Sequence, residues 1–314
     1  MLRRNRAVAG FLLTFAIPLV AMSATAQPDD AKLQSAVTRT MAGKRGTAVV
    51  LDVSSGRILA AYHLEVAARR LARPGSSIKP FTLLALLESG KVNTQTTLMC
   101  KRTVSLGGRN LNCSHPATAQ PLDPVAALAY SCNSWFTAVA LRLTPAQLRD
   151  SLVRDGFSGL TSLAPKEAAG SVALAHSTEE LQLQAVGEWG ITVTPLELVE
   201  AYRRLALLER SHDGKLDPLF EGLQQSVAYG MGNAAQPSAE MRVAGKTGTA
   251  PSDEGAWTHA WFAGYAPAVN PEIVLVVFLE RGHGGGDAAA AAHEIFGAFA
   301  ETQRSKLRAA GAAR

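Results

Sequence analysis

Apolar and polar positions alternate in three distinct ways along the 314-residue chain. Behind a leading apolar run, residues 47–53 and 57–62 are short apolar stretches around the turn Ser54-Ser55-Gly56. They predict a hairpin of two buried strands. The middle of the chain is helical in period. Phe81, Leu84, Ala85 and Leu87 recur at helical spacing before Gly90, Asp123-Pro124 supplies an N-cap and a first-turn proline, and Thr194-Pro195-Leu196-Glu197 is a capping box for a helix to about Leu208. Strand character returns at residues 242–250, 257–266 and 272–280, which are separated by Gly, Pro, Asn and Asp turns and suit neighbouring antiparallel strands. An Ala-rich helix is expected from near Asp287, with a small basic tail over 304–314. Strands, helices, strands and a closing helix predict an α+β fold with a helical insertion, whose default site is the mouth between the two lobes.

The first 26 residues form a different pattern. Arg3, Arg4 and Arg6 precede an apolar run from Ala7 to Met22, and Ala24 and Ala26 match an A-x-A cleavage site. The run is short for a membrane span and contains Pro18, so a cleavable export signal at 1–26 and a periplasmic or extracytoplasmic protein are expected. Membrane attachment then requires that the signal stay uncleaved. Residues 27–44 are polar and mixed, and read as a linker or a short leading helix before a domain at 45–303.

Composition narrows the function classes. With 47% hydrophobic and 18% charged residues the chain can bury a sizeable core, which excludes wholesale disorder. The formal charge of +5 invites a nucleic-acid partner, but removing residues 1–26 takes away three arginines and no acid and leaves +2. No nucleic-acid partner is expected. Export also permits disulfides. Cys100 and Cys113 flank a stretch with the hairpin-turn signal Gly107-Gly108, so they are expected to pair, a closure worth on the order of 2–3 kcal/mol. The alternative is two unpaired buried thiols, and Cys132 is left over.

Three short motifs carry candidate chemistry. Ser76 and Lys79 lie one turn apart in Pro74-Gly75-Ser76-Ser77-Ile78-Lys79-Pro80, at the start of the helix that runs to about Gly90. A serine is a weak nucleophile without a base, and a lysine is a base only when neutral, a form that burial and the helix N-terminus favour. Ser131-Cys132-Asn133 falls at a junction between helices, where Ser and Asn are also common as plain caps. Lys246-Thr247-Gly248-Thr249 lies on a predicted strand, where a lysine and two threonines suit a carboxylate and Gly248 is expected to leave room for a substrate backbone. An edge strand with a solvated lysine is the bland alternative. A phosphate loop is rejected, because Glu240 stands where its first glycine belongs and no helix follows. His293-Glu294 lacks a second histidine, since residue 297 is Gly297, and Gly282-His283-Gly284-Gly285-Gly286 reads as a turn before the closing helix.

In the order S-x-x-K, S-x-N, K-T-G, the motifs together resemble the transpeptidase domain of penicillin-binding proteins, in the serine β-lactamase and D,D-peptidase superfamily. The stretches 48–60, 73–80, 190–196, 243–250 and 260–267 extend the likeness across about residues 45 to 303. That resemblance implies a five-stranded antiparallel sheet flanked by helices beside a mainly helical lobe. It also implies that Ser76 attacks a D-Ala-D-Ala peptide bond, with Lys79 as general base and Ser131, held between Lys79 and Lys246, relaying a proton. Asn133 would hold the peptide amide, Lys246, Thr247 and Thr249 its carboxylate, and the backbone N–H groups of Ser76 and Thr249 would form the oxyanion hole. The partners implied are peptidoglycan stem peptides, with β-lactams as covalent inhibitors, and no metal or cofactor is implied. No E-x-x-L-N segment supports a dedicated deacylating glutamate. Carboxypeptidase, β-lactamase and a non-catalytic binding module stay open beside transpeptidase.

Overall fold

The computed structural model describes residues 28–312 apart from Ala239; the expected export signal and its cleavage site lie outside the described residues. Five strands form one antiparallel sheet: β1 (Gly46–Asp52), β2 (Ile58–Tyr62), β3 (Ala244–Pro251), β4 (Thr258–Ala266) and β5 (Ile273–Leu279). Their spatial order is β2-β1-β5-β4-β3. Both faces of the sheet are covered, which is why its central strands are apolar throughout: all seven residues of β5 are buried. The two-residue period of a strand divides them between two cores. Val49, Leu51, Trp261, Val274, Val276 and Phe278 meet the helical lobe, whereas Ala48, Val50, Phe262, Leu275 and Val277 meet the helices on the other side.

The second core takes in both ends of the described chain. Of the two readings of the leading segment, linker or short helix, the helix holds: Pro28–Met41 is α1, and Leu33, Val37 and Met41 are buried against the sheet, so the segment belongs to the packed unit. The basic tail is likewise the continuation of a long closing helix, Ala289–Ala312. A wide turn at Gly284–Ala288 leads into that helix.

Between β2 and β3 lies the helical lobe. Its elements near the site are α2 (Lys79–Glu88), α3 (Pro124–Ala129), α4 (Asn133–Ala140) and α5 (Pro195–Glu209). Asp123 caps α3 by accepting from the Ala126 N–H at 2.8 Å, and Thr194 and Glu197 form the expected capping box of α5. A small hairpin, Ser105–Leu106 with Arg109–Asn110, turns at Gly107-Gly108 as expected. Among the described residues no helix is long and apolar enough to cross a membrane.

Candidate active site

Ser76 sits in a 3-10 turn, Gly75–Ile78, that runs directly into α2. Side chains three apart eclipse in such a turn, so Ser76 and Lys79 share a face. The Lys79 N–H donates to the Ser76 carbonyl and closes the turn. Pro80 falls in the first turn of α2, where a missing N–H leaves no helical bond unmade. Neighbours from elsewhere fix the turn: the Tyr202 hydroxyl of α5 donates to the Ser77 carbonyl at 2.8 Å, and the Trp261 indole donates to the Arg73 carbonyl at 3.0 Å.

Lys79 is fully buried. Its Nζ donates to the Ser131 carbonyl at 2.7 Å, to Ser131 Oγ at 3.2 Å and to Asn133 Oδ1 at 2.6 Å, which uses all three donors of an ammonium. The Phe136 ring centroid lies 5.4 Å from the same nitrogen. Burial pulls Lys79 down to about 8, against the nearby Cys132, Cys113 and Glu188, which favour its charged form. A lysine at that value is roughly one-tenth neutral at pH 7, which makes it a usable base. Asn133 also donates from Nδ2 to the Leu111 carbonyl at 2.9 Å, so both ends of its amide tie this part of the lobe together. Ser131 adopts a left-handed backbone, φ 54°, a cost accepted where a turn must aim a side chain.

The opposite wall is β3, an edge strand of the sheet among the described residues. Lys246 and Thr247 are buried and Thr249 is half-buried. Lys246 Nζ donates to the Thr247 carbonyl at 2.9 Å, and burial together with the Lys79 charge pushes its pKa well below the usual lysine range. The expected cradle of Ser131 between two lysines is therefore present as hydrogen bonds on the Lys79 side, while Lys246 bonds its own strand. Thr249 Oγ1 accepts from the Gly284 N–H at 3.0 Å, which seats the Gly-rich turn on this strand. Gly248 has a different reason from the one expected. A Cβ there would meet the Pro74 carbonyl at 2.5 Å and the Ser77 nitrogen at 3.0 Å, so the space it leaves is filled by the nucleophile turn. Gly75, at φ 52°, makes the reciprocal approach, for its Cβ would lie 2.6 Å from the Thr249 carbonyl.

The structure thus brings Ser76, Lys79, Ser131, Asn133 and the Lys246–Thr249 strand to one place. It also adds residues that the motifs do not name. Glu188 is buried beside them, with Arg109 donating to its carbonyl at 2.8 Å and its carboxylate at 3.2 Å. Burial pushes the Glu188 carboxyl up, opposed by Arg109, Arg73 and Lys79. The expected Cys100–Cys113 disulfide is not formed. None of the three cysteines is disulfide-bonded, and Cys113 lies 3.7 Å from Cys132, because the turn before α4 inserts Cys132 beside the end of the hairpin. The His293 near-motif bonds the Gln236 carbonyl at 2.9 Å.

Comparison with known proteins covers the same ground. A solved structure of Pseudomonas aeruginosa PBP2, in complex with WCK 5153, superposes with a TM-score of 0.75 at 23% identity, over 86% of this chain and 77% of that one. The probable peptidoglycan D,D-transpeptidase PbpC of Pseudomonas aeruginosa is 26% identical over 283 residues, covering 75% of this chain and 49% of the relative. The probable peptidoglycan D,D-transpeptidase PenA of Neisseria flavescens is 27% identical over 290 residues, 76% of this chain and 69% of the relative. The chain therefore spans about half the length of PbpC and some two thirds of PenA. The penicillin binding protein transpeptidase domain itself is matched over residues 46–301, from the first strand of the sheet into its closing helix, and the chain belongs to that family.

Proposed function

We propose that this chain is a penicillin-binding serine D,D-transpeptidase that works through an acyl-enzyme on Ser76. The observation that carries the reading is the buried Lys79 Nζ, one 3-10 turn after Ser76 and bonded to Ser131 and Asn133. Neutral Lys79 takes the Ser76 hydroxyl proton as Oγ bonds to the carbonyl carbon of a D-Ala-D-Ala peptide. Ser131 Oγ, 3.2 Å from Lys79 Nζ, returns that proton to the leaving D-alanine amine as the C–N bond breaks. The backbone N–H groups of Ser76 and Thr249 meet the oxyanion, a contribution of about 3 kcal/mol per donor. Lys246, Thr247 and Thr249 hold the terminal carboxylate. An amine of a second peptidoglycan stem peptide then takes the acyl group, and β-lactams acylate the same serine. Export by the segment 1–26 would place this chemistry outside the cytoplasm, where peptidoglycan is.

The test is turnover by the purified chain. With a pentapeptide ending in D-Ala-D-Ala and an added amine acceptor, the expected product is the transferred peptide. Free tetrapeptide alone would make the chain a carboxypeptidase, steady hydrolysis of a chromogenic cephalosporin a β-lactamase, and saturable binding without product a non-catalytic module.

A further inference from the structure

The back of the Ser131 turn is rich in sulfur. Cys100, Cys113, His115 and Cys132 each bring one donor atom to the same spot, with all four atoms within 4.8 Å of one another. Cys113, His115 and Cys132 are buried and Cys100 is half-buried. A disulfide does not describe this arrangement, since the 3.7 Å between Cys113 and Cys132 sulfurs far exceeds a bond of about 2.05 Å. Four donors gathered within 4.8 Å suit a metal ion that draws them in to tetrahedral distances. With Zn–S of about 2.3 Å and Zn–N of about 2.05 Å, tetrahedral angles give S···S edges of about 3.8 Å and S···N edges of about 3.6 Å. The chain supplies one of each, 3.7 Å from Cys113 to Cys132 and 3.5 Å from Cys100 Sγ to His115 Nε2.

The groups around these four are arranged as a metal requires. His115 Nδ1 lies 2.7 Å from the Pro116 carbonyl, which only accepts, so the proton is assigned to Nδ1 and Nε2 turns its lone pair toward the sulfurs. Backbone N–H groups donate to two of the sulfurs, Arg102 to Cys100 and Ser134 to Cys113, each at 3.4 Å. Donors of this kind orient sulfur ligands around a metal from the outer shell. Arg102 reaches its donor position in a left-handed conformation, φ 64°. The Tyr130 ring stacks on His115, centroids 5.2 Å apart, and holds the imidazole plane.

We propose that Cys100, Cys113, His115 and Cys132 bind one Zn²⁺ in a closed, four-coordinate structural site. Three soft thiolates and an imidazole select zinc over the hard cations that carboxylates and water prefer. Binding exchanges three thiol protons for the ion and moves no electron. The consequence reaches the active site through covalent bonds, because Cys132 is the residue between Ser131 and Asn133. The ion ties that turn to the chain segment that contains Leu111, whose carbonyl Asn133 also bonds. It is a positioning device for the Ser131 and Asn133 contacts to Lys79, and it departs from the metal-free site that the motifs alone imply.

The test reads the metal before any activity, so its failure is separable from that of the catalytic reading. The full chain is purified without chelators, and its zinc content, intact mass and thiol count are measured. About one zinc per chain is expected, with three free thiols once the ion is removed under denaturing conditions. Replacement by Co²⁺ gives the intense visible bands of a tetrahedral ion and a thiolate charge-transfer band, which needs no variant that risks misfolding. Cys132→Ser and His115→Ala each lower zinc content by about tenfold or more under a competing chelator. Chelation slows penicillin labelling and added zinc restores it. A trace zinc content with a mass two hydrogens short, a six-coordinate cobalt spectrum, or zinc retained in the Cys100→Ser/His115→Ala double variant each overturns the proposal.

Discussion

Two walls face each other across Ser76, and they are built in different ways. The sheet wall is backbone against backbone: Gly248 and Gly75 leave no room for a Cβ because the nucleophile turn and β3 touch through main-chain atoms. The lobe wall is made by side chains, with Lys79, Ser131 and Asn133 joined by hydrogen bonds and Cys132 buried behind them. Strand pairing positions the first wall, and a side chain added at Gly248 or Gly75 collides with main-chain atoms. The second wall presents the side chains that bond Lys79, so the base is set on the lobe side and the nucleophile turn is held from the sheet side.

The largest effect expected from breaking this contrast is on the lobe side. Lys79→Ala removes the base and should slow acylation by labelled penicillin about 10²–10⁴-fold, with the fold intact by circular dichroism. A rate within a few-fold of the parent would remove Lys79 from its role. Next comes the pH profile of the unaltered chain. Lys79 is a base only when neutral, and burial lowers it to about 8, so the acylation rate should rise about tenfold per pH unit below that value and level off above it. A rate that is flat from pH 6 to 9, or that falls, contradicts the assignment.

On the sheet side the expected effect is on stability. Gly248→Ala pushes a methyl group into the Pro74 carbonyl, and should cost about 1–3 kcal/mol, read as a lower Tm along with slower acylation. An unchanged Tm would mean that the two walls are not in backbone contact. The smallest effect should come from Tyr202→Phe, which removes one buried hydrogen bond to the Ser77 carbonyl and should cost about 1 kcal/mol in denaturant unfolding.

The same contrast separates what the sequence disclosed from what it hid. Strand and helix periods, the Thr194 capping box and the Ser76–Lys79 spacing are local, and each appears in the fold where its pattern puts it. Contacts between distant segments left no such trace. Nothing local marks Tyr202 as the partner of Ser77, or Glu188 as a neighbour of Lys79. Gly248 was legible as a close approach, but the approaching group is the Pro74 carbonyl, 174 residues earlier in the chain. Helix α1 has only a few apolar positions, and its burial depends on the far end of the chain packing beside it. The cysteines mislead for the same reason: a hairpin between Cys100 and Cys113 suggests that they pair, while the fold inserts Cys132 and His115 among them. The one signal available was His115, two residues after Cys113 in a chain with two further cysteines, a spacing that fits metal ligands as well as a disulfide.

Mass spectrometry of the full chain after exposure to penicillin tests the central reading most directly. One penicillin mass should add to the protein and map to the peptide that contains Ser76, and Ser76→Ala should abolish the adduct. An adduct on any other residue, or one that survives Ser76→Ala, would contradict it.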